Sequence, residues 1–204
     1  MKKKMCLFGF VALLSAMSVS WGTIQSINVN YVESTFTAGG GNFGLGTLTL
    51  SDAADIVVED TLGNQTLYAN GSFALTTFLK MDVSAGGIAS GQFEDGDLSF
   101  LDNGANILLA GHIGDINLIE TFNNMGILAG EGQFVVTGGS LSGDFVPPMG
   151  DIVQITFQVV PTTLSDFSQD FTGVSNITMT PIPEPVTIGL FTIGGLFLSR
   201  RKKG

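Results

Sequence analysis

Cysteine, histidine and tryptophan are nearly missing from this 204-residue chain, which contains one of each. Cys6 alone cannot form an intrachain disulfide, and it cannot build a site made of several thiolates. His112 alone excludes a zinc site made of several imidazoles. It could still belong to a Ser-His-Asp triad, although the Gly-x-Ser-x-Gly elbow that often carries such a serine does not occur.

Basic residues are also scarce and, apart from Lys80, occur only near the two ends, at positions 2–4 and 200–203. Between residues 23 and 183 this lysine faces 17 carboxylates, so the interval has a net charge of −16. Such a charge excludes the basic patch that nucleic-acid binding requires. It would also repel anionic membranes and acidic polysaccharides unless a divalent cation bridged them, and its simplest role is to keep the protein soluble.

Long apolar runs are found near the same two ends. Residues 1–4 form a basic n-region, residues 5–19 form a largely apolar h-region, and small residues follow. This order is typical of a secretory signal peptide and predicts cleavage before Trp21 or Thr23, with a retained N-terminal anchor as the alternative. Cys6 lies in the h-region, so the exported protein would contain no cysteine.

The C-terminal run, residues 186–198, contains 13 residues and no charged group. As a helix it would rise about 20 Å, short of the roughly 30 Å hydrocarbon core of a bilayer. Basic side chains at 200–203 can reach the headgroups, so a marginal transmembrane helix is expected, with the basic cluster on the cytoplasmic side. Prolines at 181, 183 and 185 keep the preceding residues extended and open to proteolysis. A hydrophobic anchor that is never processed is the alternative.

The tail therefore combines, in order, the tripeptide Pro183-Glu184-Pro185, an apolar segment and a basic cluster. The apolar anchor residues are Val186, Ile188, Leu190, Phe191, Ile193, Leu196, Phe197 and Leu198, and the basic stop signal is Arg200, Arg201, Lys202 and Lys203. This arrangement, about residues 181–204 only, resembles the PEP-CTERM sorting signal of exported bacterial proteins. The resemblance implies that exosortase, an integral-membrane cysteine protease, recognises the tripeptide and cleaves near it. It implies sorting and no particular activity, because the regions upstream of such tails vary widely.

These ends divide the chain into a signal peptide (1–22), an exported domain (23–180) and a sorting tail (181–204). In the exported domain, apolar and polar residues alternate with a period of two, as in Ile27, Val29 and Tyr31, which is typical of strands with one buried face. Turn-prone pairs separate these segments: Gly63-Asn64, Asn70-Gly71, Gly86-Gly87, Asp95-Gly96, Asn103-Gly104 and Gly138-Gly139.

The pattern predicts an all-β domain, an antiparallel β-sandwich or barrel of jelly-roll type, followed by the C-terminal transmembrane helix. A recurring Gly-x-Phe pattern, for example at Gly91 and Phe93, is interpreted as strands that start after glycine turns. Its uneven spacing argues against a solenoid, and a β-helix stays as the alternative. No stretch shows a helical period of ten residues, and at most one short turn is expected at residues 164–171.

Carboxylates suggest two kinds of chemistry. Four that are close in sequence could offer oxygen ligands to calcium, namely Glu94, Asp95, Asp97 and Asp102. Their spacing does not match the twelve-residue calcium loop, so an acidic hairpin facing solvent is the plainer interpretation, and no other cofactor is expected. Glycoside hydrolysis by two carboxylates is a further alternative, but 17 acids always supply pairs.

Aromatic and hydroxyl residues indicate no particular ligand. The 16 phenylalanines are expected in the core, and only Tyr31 and Tyr68 combine a ring with a polar tip. Threonines such as Thr47, Thr49 and Thr76 are too sparse to show the flat, regular array that an ice-binding surface requires.

The pattern as a whole favours a non-enzymatic exported protein, held at the inner membrane by its tail and then sorted to the cell surface or extracellular matrix. Its expected partners are an exosortase-type protease and the inner membrane, with extracellular polysaccharide as an open alternative and nucleic acid excluded. A carbohydrate- or calcium-binding module on the same anchor is the first alternative function, and a secreted hydrolase is the second.

Overall fold

Alternating apolar and polar residues continue through eight strands in the computed structural model, which describes residues 24–121, 127–145, 152–161, 164 and 166–181. Along most of the strand length, buried and exposed side chains alternate as the period of two requires, whereas residues 65–70 at the start of β3 include no buried side chain. The strands are β1 (Ile24–Ala38), β2 (Gly46–Asp60), β3 (Gln65–Asp82), β4 (Ser90–Leu101), β5 (Ile107–Glu120), β6 (Leu128–Gly138), β7 (Ile152–Pro161) and β8 (Phe171–Pro181), with one helical turn, α1 (Ser142–Phe145), after β6.

Each strand pairs antiparallel with the next one in the chain, and β8 pairs with β1 to close a barrel. The predicted all-β, antiparallel domain is therefore confirmed, in its barrel form. Two finer predictions are wrong: neighbouring strands follow chain order, whereas a jelly roll needs Greek-key connections, and a β-helix needs parallel strands. Short connections such as residues 61–64 explain the order, because a short turn brings its two flanking strands side by side.

Inward-facing side chains fill the barrel, as expected for eight strands. Near the loop between β1 and β2, Phe36, Phe93, Phe167 and Phe171 pack together in the core. The ring centroid of Phe36 lies 5.3 Å from that of Phe167 and 5.2 Å from that of Phe171. Phe167 comes from the connection between β7 and β8, so its ring covers this end of the core, the phenylalanine end. These four confirm the expected role of phenylalanine, whereas Phe43 is 42% exposed.

Two of the predicted turns lie inside strands instead. Asn70-Gly71 belongs to β3 and Asp95-Gly96 belongs to β4, and the pairing register shifts beside each of them. They are β-bulges, with φ of +53° at Asn70, +62° at Asp95 and +116° at Gly96. A bulge can require the same left-handed backbone as a tight turn, so the same residue types suit both.

The other predicted turns, at 63–64, 86–87, 103–104 and 138–139, lie between strands or at a strand end. The short turn predicted at residues 164–171 is present but is not helical: residues 166–170 form an irregular turn and Phe171 begins β8. Among the described residues, the helical turn is α1, which follows β6.

Ile24 and Pro181 lie at the end of the barrel opposite the phenylalanine end, because an even number of antiparallel strands returns the chain to its starting end. The turns at 61–64 and 102–106 lie at this terminal end as well. The predicted signal peptide and the tail from residue 182 onwards are outside the described residues. Within the described part of the chain, no helix is long and apolar enough to cross a membrane.

Candidate functional surface

The predicted sorting residues, 183–203, are outside the described residues, so the surface of the barrel is where candidate sites can be placed. The four calcium candidates do not converge there. Glu94 forms an ion pair with Lys80, Asp95 accepts a hydrogen bond of 2.6 Å from the Asn42 side-chain amide, and Asp97 contacts His112. The fourth, Asp102, lies in the turn between β4 and β5. Over residues 24–121, 127–145, 152–161, 164 and 166–181, no three acidic, histidine or cysteine side chains gather as a metal site would require.

Asp102 and Asp60 hold their turns in the same way. Each carboxylate accepts hydrogen bonds from the backbone N–H groups two and four residues later, at 2.8–2.9 Å. The side-chain amide four residues later, Asn64 or Asn106, donates a further bond. These bonds, with the asparagine side chain first, lower the pKa of both carboxyl groups below the ordinary value of 3.8. Their contribution to stability is therefore present above pH 3.8 and is lost as the pH falls through the lowered pKa.

Asp97 and His112 are direct partners across β4 and β5, with 2.6 Å between a carboxylate oxygen and Nδ1 of the ring. Both side chains face water, at 78% and 69% exposure. No hydroxyl among the described side chains is hydrogen-bonded to His112, so the described residues do not assemble a triad around it. The pair is a solvent-exposed contact between two strands, and such exposed pairs stabilise a fold only slightly.

Threonines that are scattered in the sequence come into register across neighbouring strands. Thr172, Thr35, Thr49 and Thr76 pair in succession on β8, β1, β2 and β3, and Thr37 pairs with Thr47 beside them. The expectation that no array forms is thus corrected in part. Eight strands complete the circle, however, so a row across four adjacent strands turns through about 135°. This row is convex and lacks the flatness that an ice-binding surface requires. Counting outwards from the loop at 39–45 gives the pairing of Thr35 with Thr49. The pairing of Thr49 with Thr76 also depends on the β3 bulge, where the register shifts by one residue.

A second outward surface, here named the β8 face, consists of uncharged polar side chains on β7, β8 and β1. Its members are Thr156, Gln158, Asn176, Thr178, Asn28, Asn30 and Tyr31. Thr156, Thr178 and Asn28 form one row across the three strands, and Gln158 and Asn176 pair in the next row. Hydroxyl and amide groups therefore lie side by side along β8.

Hydrogen bonds already order this face. The Thr178 hydroxyl donates to the Asn28 amide oxygen at 2.8 Å, and the Asn28 amide nitrogen donates to the Ser26 hydroxyl at 3.0 Å. The Thr156 hydroxyl donates to the Thr178 carbonyl at 3.2 Å. Side chains held by one another lose less freedom when a ligand binds than free side chains do.

Tyr31 lies at the edge of the β8 face in an unusual conformation. The alternation with Ile27 and Val29 predicted that it faces the core, but it is 80% exposed. Its φ is +62°, in a bulge after which Val32 takes the inward position. The Asn176 side-chain oxygen accepts a 3.1 Å hydrogen bond from the Tyr31 backbone N–H and so supports the bulge. The inward prediction is wrong because one extra residue reverses the alternation.

No protein-family model matches this chain, and no curated protein or solved structure is significantly similar to it. Its function is therefore inferred from its own residues.

Proposed function

We propose that this protein is a non-enzymatic, exported bacterial protein of the cell surface or extracellular matrix, sorted by an exosortase-type membrane protease. The tail carries the proposal: Pro183-Glu184-Pro185 precedes a short apolar segment and then a basic cluster. A signal-peptide-like start supports export. The tail first anchors the chain in the inner membrane, and cleavage near the tripeptide then releases the barrel.

The non-enzymatic part of the proposal takes the acidic residues of the barrel as structural. The carboxylates that the sequence singled out have four separate partners, and Asp60 and Asp102 are committed to holding turns. Glycoside hydrolysis requires two free carboxyl groups facing one substrate, one of them with a raised pKa. The pKa shifts at Asp60 and Asp102 have the opposite direction.

Terminal-peptide and intact-mass analysis of the protein from its native host, after separation of inner-membrane and surface fractions, tests this proposal. We expect a surface form that begins near Trp21 or Thr23 and ends near Pro185. A chain that still ends at Gly204 in the inner membrane would contradict sorting and leave a barrel on a permanent anchor.

Substitution of the tripeptide makes the test specific. Replacing Pro183, Glu184 and Pro185 together by alanine should leave the uncleaved chain in the inner membrane, because the recognition peptide is gone while the anchor is intact. Thr192→Ala, inside the apolar segment, is the matched control and should be processed normally. Equal processing of both variants would show that the tripeptide is not the signal.

A further inference from the structure

The β8 face has the chemistry of a carbohydrate-binding surface. We propose that it binds one extended chain of an uncharged polysaccharide, which lies along β8 with Tyr31 stacked on a sugar ring at one edge. The proposal deepens the function proposed above by naming a partner for the exported barrel, and it rests on that export for its biological setting.

Charge points to an uncharged partner. The exported region has a net charge of −16, yet neither β7 nor β8 contains a charged residue. Glu131 pairs with Thr156 on one border, and Glu33 pairs with Val174 at the far end of β8. These carboxylates would repel an anionic polymer, whereas a neutral polymer meets no charge to desolvate on the face itself.

The donors and acceptors of the β8 face match the hydrogen-bonding groups of a sugar. A sugar hydroxyl both donates and accepts, and so do the threonine hydroxyls and the asparagine and glutamine amides of this face. The bonds among Thr178, Asn28 and Ser26 use only part of that capacity and hold the groups in position. A ligand therefore finds ordered donors and acceptors at little cost in side-chain entropy.

Tyr31 supplies the aromatic surface. A tyrosine with φ of +62° is strained, and a glycine or asparagine would occupy this bulge more easily. In this bulge Tyr31 is 80% exposed, and its backbone N–H is bonded to the Asn176 side chain. Tyrosine is suited to such a role because its ring is apolar and its hydroxyl stays hydrated.

The shape of the barrel limits the ligand to one chain. The barrel surface is convex across β7, β8 and β1. A flat crystalline or sheet-like polymer would therefore contact only the residues of the central strand, β8. Along β8, outward side chains repeat about every 6.7 Å. A single polymer chain along this strand reaches Thr178, Asn176 and the flanking residues on both sides.

Affinity electrophoresis of the protein purified from its native host tests the proposal. The neutral probes are dextran, galactomannan and soluble mixed-linkage β-glucan, and alginate is the anionic probe. We expect at least one neutral polymer to retard the protein and alginate to leave it unaffected. Tyr31→Gly should weaken binding about tenfold, whereas Tyr31→Phe should retain it.

A matched variant separates loss of binding from loss of folding. Tyr31→Gly relaxes a left-handed residue, so its thermal midpoint should be unchanged or higher. Asn70→Gly relaxes the comparable bulge of β3, away from the β8 face, and should bind as the parent does. Thr178→Ala, in the middle of the face, should weaken binding.

Four results would overturn the proposal: no retardation by any neutral probe, equal retardation by alginate, full binding by Tyr31→Gly, or cross-linking of a second copy of this chain through Tyr31. Failure here is distinguishable from failure of sorting. A processed protein that binds no neutral polymer retains the proposed sorting function, and an unprocessed protein that binds one retains the polysaccharide site.

Discussion

Tyr31, Asn70 and Asp95 have left-handed backbones inside strands and are not glycines. Each has polar support: Asn176 accepts from the Tyr31 N–H, Asp55 accepts from the Asn70 N–H, and the Asp95 carboxylate accepts from the N–H of Gly96. At the residue scale, carboxylates and amides therefore stabilise bulges and turns. This use accounts for several acids that looked like metal or catalytic candidates in the sequence.

Ser34 and Ser175 are fully buried on β1 and β8, and neither hydroxyl has a hydrogen-bond partner among the described residues. A buried hydroxyl without a partner destabilises the folded state, because it has given up its bonds to water. We expect Ser175→Ala to raise the free energy of unfolding by about 1 kcal/mol, measured by urea denaturation.

Thr77→Val is the matched control for that prediction. Thr77 is also buried, but its hydroxyl donates a 2.8 Å hydrogen bond to the Asp95 carbonyl in the β4 bulge. Its loss should lower the free energy of unfolding by about 1 kcal/mol. A destabilised Ser175→Ala would indicate that a buried water satisfies the serine hydroxyl.

Glycines determine how closely neighbouring strands approach at the element scale. A Cβ atom at Gly111 would lie 2.0 Å from the Val135 carbonyl oxygen and 2.5 Å from the Phe134 ring. Of the Gly-x-Phe pairs predicted to mark strand starts, Gly91 and Phe93 do lie at the start of β4, whereas Gly71 and Phe73 lie in the middle of β3. Both members face the core, so a small residue next to a large one fills the taper of the barrel.

Gly111→Ala should therefore lower the free energy of unfolding by about 3 kcal/mol, because the new methyl group meets the backbone of β6. Gly114→Ala in the same strand is the control. Its nearest neighbour, the Gln133 carbonyl oxygen, would be 3.4 Å from the Cβ atom, so a change within about 1 kcal/mol is expected. Equal effects in urea denaturation would contradict close packing at Gly111.

At the scale of the whole molecule, closure makes the eight described strands a ring in which none of them has an open edge. Such an edge would otherwise be available to pair with another chain. Ile27 on β1 pairs with Met179 on β8, so the first and last strands are as close as any other pair. Ile24 and Pro181 both lie at the terminal end of the barrel. Cleavage at the proposed sites, before residue 24 and after residue 181, would therefore leave all eight strands in place.

A circular permutant tests closure. Joining residue 181 to residue 24 through a short glycine-serine linker and opening the chain at residues 62–63 should give a cooperative fold, with a thermal midpoint within about 10 °C of the parent barrel. The new ends fall in an exposed turn, where chain breaks are tolerated best.

Opening the permutant between residues 75 and 76 is the control. It interrupts β3 where Leu75 is buried and pairs with β4, and it should abolish cooperative unfolding in circular dichroism. If both permutants were equally unfolded, the inferred proximity of the chain ends would be wrong.

The alternation of apolar and polar residues within short stretches of sequence was sufficient to predict most of the strands. The inward positions of Ile27 and Val29 on β1, and of Ile177 and Met179 on β8, follow from the period of two alone. The same reasoning failed at Tyr31, and it mistook Asn70-Gly71 for a turn. In both places a bulge inserts one residue, and a bulge has the residue preferences of a turn.

Composition and the order of segments along the chain are enough to predict an acidic, strand-rich domain between two targeting-type ends, because charge and periodicity are local properties. The threonine row and the β8 face depend also on which strands become neighbours in the folded barrel. Thr35 and Thr172, or Thr156 and Asn28, become near neighbours only through barrel closure, loop lengths and the bulge registers. Those are long-range quantities that no short window of sequence contains, so the surface that carries the proposed polysaccharide site exists only in the folded barrel.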